Sequence, residues 1–169
     1  MKTYVITLSQ QFPARHPRSG ELTYFDKKVL NAVWEAHRCT TQYADVAPKL
    51  HTIRANYQLW EKRFKQIEAG KAILSVREWT GKPFWSKQRV ICNLTAADGI
   101  GLQKMIASRI LSADKKETLA FLPHVDGKAT SELSLALNDG LTESDWLAWF
   151  KSYDLTKPLA IIHFTNFRY

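Results

Sequence analysis

At 169 residues, with 45% hydrophobic and 12% aromatic content, the chain carries enough apolar side chains for one packed domain, which excludes the disordered class. A formal net charge of +8 points to an anionic partner, and two cysteines, Cys39 and Cys92, with no C-x-x-C pairing argue against a disulfide framework and a cysteine-ligated zinc. With no apolar run of membrane-spanning length and no signal-like h-region at the N-terminus, a cytoplasmic location and no membrane partner are expected.

TYVITLS alternates β-branched and aromatic residues and predicts an opening strand; QQFPARHPRSGEL, broken by prolines and a glycine, predicts a polar loop. TYFDKKVLNAVWEAHR places Phe25, Val29, Val33 and either Ala36 or His37 on one helical stripe, with Thr23 as a candidate cap. A loose linker from Cys39 to Pro48 follows. NYQLWEKRFKQIEAG sets Leu59, Trp60, Phe64 and Ile67 on one face of a helix closed by Gly70, and turns Lys62, Arg63 and Lys65 to a solvated side. KAILSVREW and QRVICNL read as strands joined by TGKPFWSK. GIGLQKMIASRIL reads as a helix weakened by Gly99 and Gly101, TLAFLPHV as a short strand, and TSELSLALNDG as a short helix or irregular piece. In LTESDWLAWFKSY, Thr142 opens a Thr-x-x-Asp cap, and Leu141, Trp146, Trp149 and Phe150 form the apolar face. PLAIIHFTNFRY closes the chain as a strand. Strands at both ends, no regular βαβ alternation and no repeats predict one α+β domain over 1–169, built as a small, mainly antiparallel β-barrel with flanking helices.

The charge is concentrated. From Lys49 to Arg89 there are ten Lys or Arg against three Glu, so nearly the whole positive excess sits in one quarter of the chain. Nucleic acid is favoured over a membrane surface because no long basic amphipathic helix accompanies the charge. Within KLHTIR, regular strand geometry puts Leu50, Thr52 and Arg54 on one face and Lys49, His51 and Ile53 on the other; an irregular backbone would instead converge Lys49 and Thr52. In a dry pocket a lysine moves towards the free amine, and with a threonine hydroxyl and a carboxylate it suits amide hydrolysis; in water Lys49 is a solvated cation and Thr52 an ordinary strand residue. Trp79, Phe84 and Trp85 interleave with Arg77, Lys82, Lys87 and Arg89, the combination that stacks unpaired bases in a positive groove, although Trp79 equally suits a core position. His16, His37, His51, His124 and His163 lack metal-ligand spacing, and DGIG lacks the partners of a phosphate loop, so no metal or cofactor is expected. His51 would serve a nuclease as general base, but no metal-ligating carboxylate cluster accompanies it.

The segment Lys49-x-x-Thr52-x-Arg54 resembles the K-x-x-T-x-R signature of ASCH domains, small proteins similar to the PUA β-barrel. The succession of helix, AILSVREW, QRVICNL, a helical region and AIIHFTNF is also similar, covering Lys49 to the C-terminus plus the opening strand and leaving about 15–48 as an insertion. The resemblance implies a pocket for a base or nucleoside, commonly in RNA-related roles. Some members remove the acetyl group of N4-acetylcytidine with the signature lysine and threonine and a later glutamate. Carried over, these are Lys49 and Thr52, with Arg54 a pocket or phosphate contact. LALNDGLTESD has no glutamate at the matching offset, and Asp139 or Glu143 would take its place. The leading expectation is a module binding RNA, ahead of DNA, or a modified nucleoside through His51, Arg54, Arg77, Trp79, Lys82, Phe84, Trp85 and Lys87. The alternative is a small amidohydrolase using Lys49, Thr52 and Asp139. The oligomeric state is left open.

Overall fold

The N-terminal alternation produces β1 (Lys2–Leu8), which buries Ile6 and Leu8. The structure, a computed structural model, describes residues 1–34 and 42–169. Helix α1 (Phe25–Ala32) buries Phe25 and Val29, and Val33 behind it is buried too; Ala36, His37 and Cys39 lie outside the described residues. Thr23 is not the N-cap. That position is Tyr24, while the Thr23 hydroxyl donates to the Ser9 carbonyl (2.7 Å), tying the start of α1 to the chain leaving β1. The described part of the linker is anchored rather than loose: the Asn31 amide donates to the carbonyls of Tyr43 (2.8 Å) and Val46 (2.7 Å).

A short strand, β2 (His51–Arg54), leads into α2 (Tyr57–Glu68). The Asn56 side chain accepts from Leu59 N, Trp60, Phe64 and Ile67 repeat at helical spacing on the buried side, and Gly70 supplies the positive φ (68°) just past the end. Leu59 is exposed instead of facing the core. Lys62 and Lys65 are solvated, whereas the Arg63 guanidinium covers the Tyr4 and Trp60 rings.

The strands β3 (Ala72–Trp79) and β4 (Gln88–Leu94) form a hairpin, and β1 pairs with β3 in parallel, giving a sheet ordered β1-β3-β4. The chain then enters β5 (Gly101–Leu111), β6 (Thr118–Val125) and β7 (Lys128–Ala129). A helix was the expectation for GIGLQKMIASRIL, and the structure corrects it to a strand. Gly101, Gln103, Met105 and Ala107 are buried while Lys104, Ile106 and Ser108 are exposed, a period of two that the apolar count alone obscures. Helices α3 (Glu132–Asn138) and α4 (Glu143–Phe150) pack on each other. The predicted Thr142 cap forms, its hydroxyl accepting from Asp145 N at 3.1 Å, and Leu141, Trp146 and Phe150 are buried behind it. The chain closes with β8 (Leu159–His163), buried along its whole length, in a second sheet ordered β2-β8-β5-β6-β7.

The architecture is therefore α+β, with two mostly antiparallel sheets and four helices among the described residues. Those strands form two separate sheets with no closed barrel. Among the described residues no helix is long and apolar enough to cross a membrane.

Candidate functional site

The KLHTIR segment is positioned by three elements at once. Lys49 N donates to the Lys28 carbonyl of α1 (2.9 Å), Leu50 N to the Asn138 carbonyl at the end of α3 (2.8 Å), and Phe164 N to the Leu50 carbonyl (2.8 Å). Regular pairing begins only at His51, opposite His163, so Lys49 precedes the strand and the parity of a regular strand does not govern it. Lys49 converges with Thr52 and Arg54 on one cavity of about 250 Å3, which Asp139 also lines. Leu8, Phe25, Trp149 and Phe150 supply apolar walls. At this size the cavity lies just below the range of drug-sized sites and suits a single flat ring with a short substituent.

Lys49 and Asp139 are the core of the site. Lys49 is 1% exposed and Asp139 4%, so bulk water cannot replace either partner. The Lys49 ammonium donates to both Asp139 Oδ1 and the Asp139 carbonyl, and its Nζ lies 4.1 Å from the centre of the Phe25 ring. Burial lowers the Lys49 pKa to about 8, against the opposing pull of Asp139, and the Arg54 and Lys28 cations lower it further. Burial likewise raises the Asp139 carboxyl above the ordinary carboxylate range, opposed chiefly by Lys49. Lys28 adds an indirect clamp, donating from Nζ to the Gly140 carbonyl (2.6 Å). Gly140 itself has φ 75°, and a Cβ there would meet Lys49 Cβ at 3.1 Å, so a side chain at this position would push on the lysine stem.

Arg54 crosses to β1: Nη2 donates to the Thr7 carbonyl (2.9 Å) and Nη1 to the Ile53 carbonyl (3.1 Å). Burial lowers its pKa, but a guanidinium so placed stays cationic and has further N–H donors beyond these two. His51 is fully buried behind the cavity. Its Nε2 lies 2.7 Å from the Tyr169 hydroxyl, and its Nδ1 lies 4.0 Å from Asp139 Oδ1 with no hydrogen-bond partner among the described residues. Burial holds His51 well below its ordinary pKa, and burial also brings His163, its β8 neighbour, to about 3.

The two candidate carboxylates differ in position. Asp139 caps α3 and faces Lys49, whereas Glu143 opens α4 exposed to solvent. The other candidate residues lie apart from this cavity. Arg77 on β3 donates to Ser75 Oγ (2.9 Å). Lys82, Phe84, Trp85 and Lys87 sit on the exposed β3–β4 loop, with Phe84 87% and Trp85 82% exposed. The half-buried Trp79 lies 5.3 Å from Phe84, ring centre to ring centre, and the two rings line a groove of about 630 Å3 with Pro83 and Gln88. Leu8 and Ser9 belong to both the groove and the Lys49 cavity, so the two adjoin. Trp85 does not line the groove, and Lys82 Nζ lies 5.3 Å from its ring centre. Phe84 adopts φ 67°, a conformation seldom taken by an aromatic residue. Arg89 is a structural tie, bonded to Glu78 and to Asp26 (2.9 Å to the latter).

Sequence reasoning missed Phe25, Trp149 and Tyr153 as cavity walls, and Asn138 and Tyr169 behind His51. The helical stripes marked Phe25 and Trp149 as inward-facing, but nothing local said that the inward side held a cavity. No protein-family model, curated protein or solved structure matches this chain.

Proposed function

We propose that the protein is a small amidohydrolase that removes the acyl group from an N4-acylcytidine-like base, with the aromatic groove beside the cavity, lined by Trp79 and Phe84, receiving neighbouring parts of a nucleoside or single-stranded RNA. The observation that carries this reading is the buried Lys49–Asp139 pair opening, with Thr52 and Arg54, on a cavity of single-ring size. The ASCH-like identity, and a PUA-like barrel arrangement of the sheets, belong to the same proposal.

The chemistry follows from the charge states. Near pH 8 a substantial share of Lys49 is free amine, able to take the Thr52 hydroxyl proton as Oγ1 attacks the acyl carbon. The carbonyl π-electrons move to oxygen, and Arg54 is the cation available to that oxyanion. Collapse breaks the C–N bond, and Lys49 returns the proton to the departing exocyclic nitrogen. Water, deprotonated by the same amine, then attacks the Thr52 ester; as the acyl C–O bond to Thr52 breaks, Lys49 gives that proton to Oγ1, so the carboxylic acid leaves and both Thr52 and the free amine are restored. Asp139 holds the amine in place and keeps its protonated form accessible. The exposed Phe84 and Trp85, beside Lys82 and Lys87 on the β3–β4 loop, favour a second reading, in which the protein binds the modified base or RNA without transforming it.

The test is chromatographic: wild type and Lys49→Ala are incubated with N4-acetylcytidine and with a short RNA carrying it. Deacylation by wild type, lost in the variant, is the expected result. Intact substrates with both proteins refute the hydrolase and leave the binding reading, which RNA retention at low salt then tests.

A further inference from the structure

Behind the cavity lies a second layer of buried polar groups for which the proposed chemistry has no use so far. Tyr169 is fixed at both backbone atoms by Gln103, whose Oε1 accepts from Tyr169 N (2.9 Å) and whose Nε2 donates to the Tyr169 carbonyl (3.4 Å). Its hydroxyl receives the Asn138 amide (3.1 Å) and faces two acceptors, His51 Nε2 at 2.7 Å and the Ser134 carbonyl at 3.4 Å. Asn138 directly precedes Asp139, so one turn of chain holds both the phenol and the carboxylate.

A phenol has one proton to give. The bond to His51 is much the shorter, and the buried imidazole is neutral, with one ring nitrogen an acceptor and the other an N–H donor. If Nε2 accepts from Tyr169, the imidazole proton must sit on Nδ1, the atom facing Asp139 Oδ1 across 4.0 Å. The opposite arrangement would point a lone pair at a carboxylate in a dry interior. We propose that Tyr169 is a positioning residue: it fixes His51 as the Nδ1–H tautomer, whose N–H dipole supports Asp139 as a carboxylate and thereby sets the proton affinity of Lys49. This inference rests on the hydrolase reading for its purpose but not for its test.

Among the described residues, Asp139 is faced by Lys49, Arg54, Lys28 and His51, and His51 by Asp139, Lys49, His163 and Tyr169. Burial keeps the phenol protonated above its ordinary range, so Tyr169 remains a donor throughout the working pH. Only Lys49 and Asp139 therefore exchange charge, and His51 acts on them as a fixed dipole.

The experiment uses the full chain and Tyr169→Phe, which keeps the ring and removes the donor. Imidazole 15N spectra of the wild type should give His51 with a protonated Nδ1 and a bare Nε2. In the variant the preference should be lost, and the Lys49 titration, followed through its side-chain 15N signal, should fall by roughly one unit, the scale of reversing a partial charge at that separation. Where turnover is present, the acidic limb of the rate profile should move down by the same amount, whereas a merely structural role would lower the rate at every pH and leave the limb in place. A wild-type His51 protonated at Nε2, or a Lys49 titration unmoved in folded Tyr169→Phe, overturns the proposal. The tautomer and the lysine titration are read without substrate, so absence of turnover would refute the hydrolase and leave this inference to be decided on its own.

Discussion

Replacing Lys49 with Met keeps most of the stem volume and leaves Asp139 as a carboxylate with no hydrogen-bonded counter-charge. Removing one member of a buried pair typically costs about 3–5 kcal/mol. Arg54 and Lys28 still face the carboxylate, which places the expected loss near the lower end, ~3 kcal/mol, or roughly 6–12 °C in Tm for a chain of this size. Lys49→Met/Asp139→Asn removes the orphaned charge and should recover part of the loss, to a deficit of about 1–3 kcal/mol for an imperfectly bonded amide. The single variant also has a pH signature. Asp139 already binds its proton more tightly in the folded than in the unfolded chain, and without Lys49 burial acts on it unopposed. The folded state then holds the extra proton, so stability is greatest at the acid end and declines as pH rises from the ordinary carboxylate value near 4 through the raised folded one. Urea denaturation followed by tryptophan fluorescence, from mildly acid to neutral pH, should show a gap between wild type and Lys49→Met that widens with pH. A gap independent of pH, or a double variant no more stable than the single, would refute the claim that a coupled buried charge pair underlies the site.

Because Lys49 must lose its proton to act as base, kcat/KM for deacylation should rise with pH through about 8 and level off above it; a profile flat from 6 to 9 would remove Lys49 from the base role. Phe84→Ala deletes a ring that is 87% exposed, so stability should change by no more than about 0.5 kcal/mol while RNA retention falls by about 1–3 kcal/mol, read by parallel melts and low-salt binding isotherms. Gly140→Ala should cost about 1–2 kcal/mol for its left-handed backbone and also depress turnover by shifting the lysine stem, whereas a stability loss with full turnover would uncouple Gly140 from the site.

The sequence was most informative where a side chain's role depends on its immediate neighbours. Trp60, Phe64 and Ile67 declared α2 by spacing, Thr142 declared the start of α4, and the β-branched pair Ile161 and Ile162 declared β8. It misled at Gly101–Leu111, where exposed Ile106 and Ile110 mask the alternation that a central strand requires on one face only. Within the site, Lys49, Thr52 and Arg54 were legible as a local cluster. Asp139 was visible only as one of two acidic choices, because what selects it is the α3 terminus folding back onto Lys49 across ninety positions of chain. The Tyr169–His51 contact spans still more chain and has no local signature at all.

Taken alone, the Lys49–Asp139 pair argues little about function, since a buried ion pair adds small net stability and well-packed apolar residues of similar volume commonly do as well or better. Three features fit this pair to the proposed site. It borders a cavity, not a filled core, so its desolvation serves a volume that a ligand can occupy. A hydroxyl and a guanidinium share that wall, and neither is needed to satisfy the pair, since the lysine finds acceptors in Asp139 alone. The same burial that makes the pair costly also brings the lysine to about 8, where both of its protonation states are populated near neutral pH. Burial alone would shift a structural lysine in the same way, but under the proposed chemistry this range lets Lys49 accept a proton from Thr52 and return it to a leaving nitrogen.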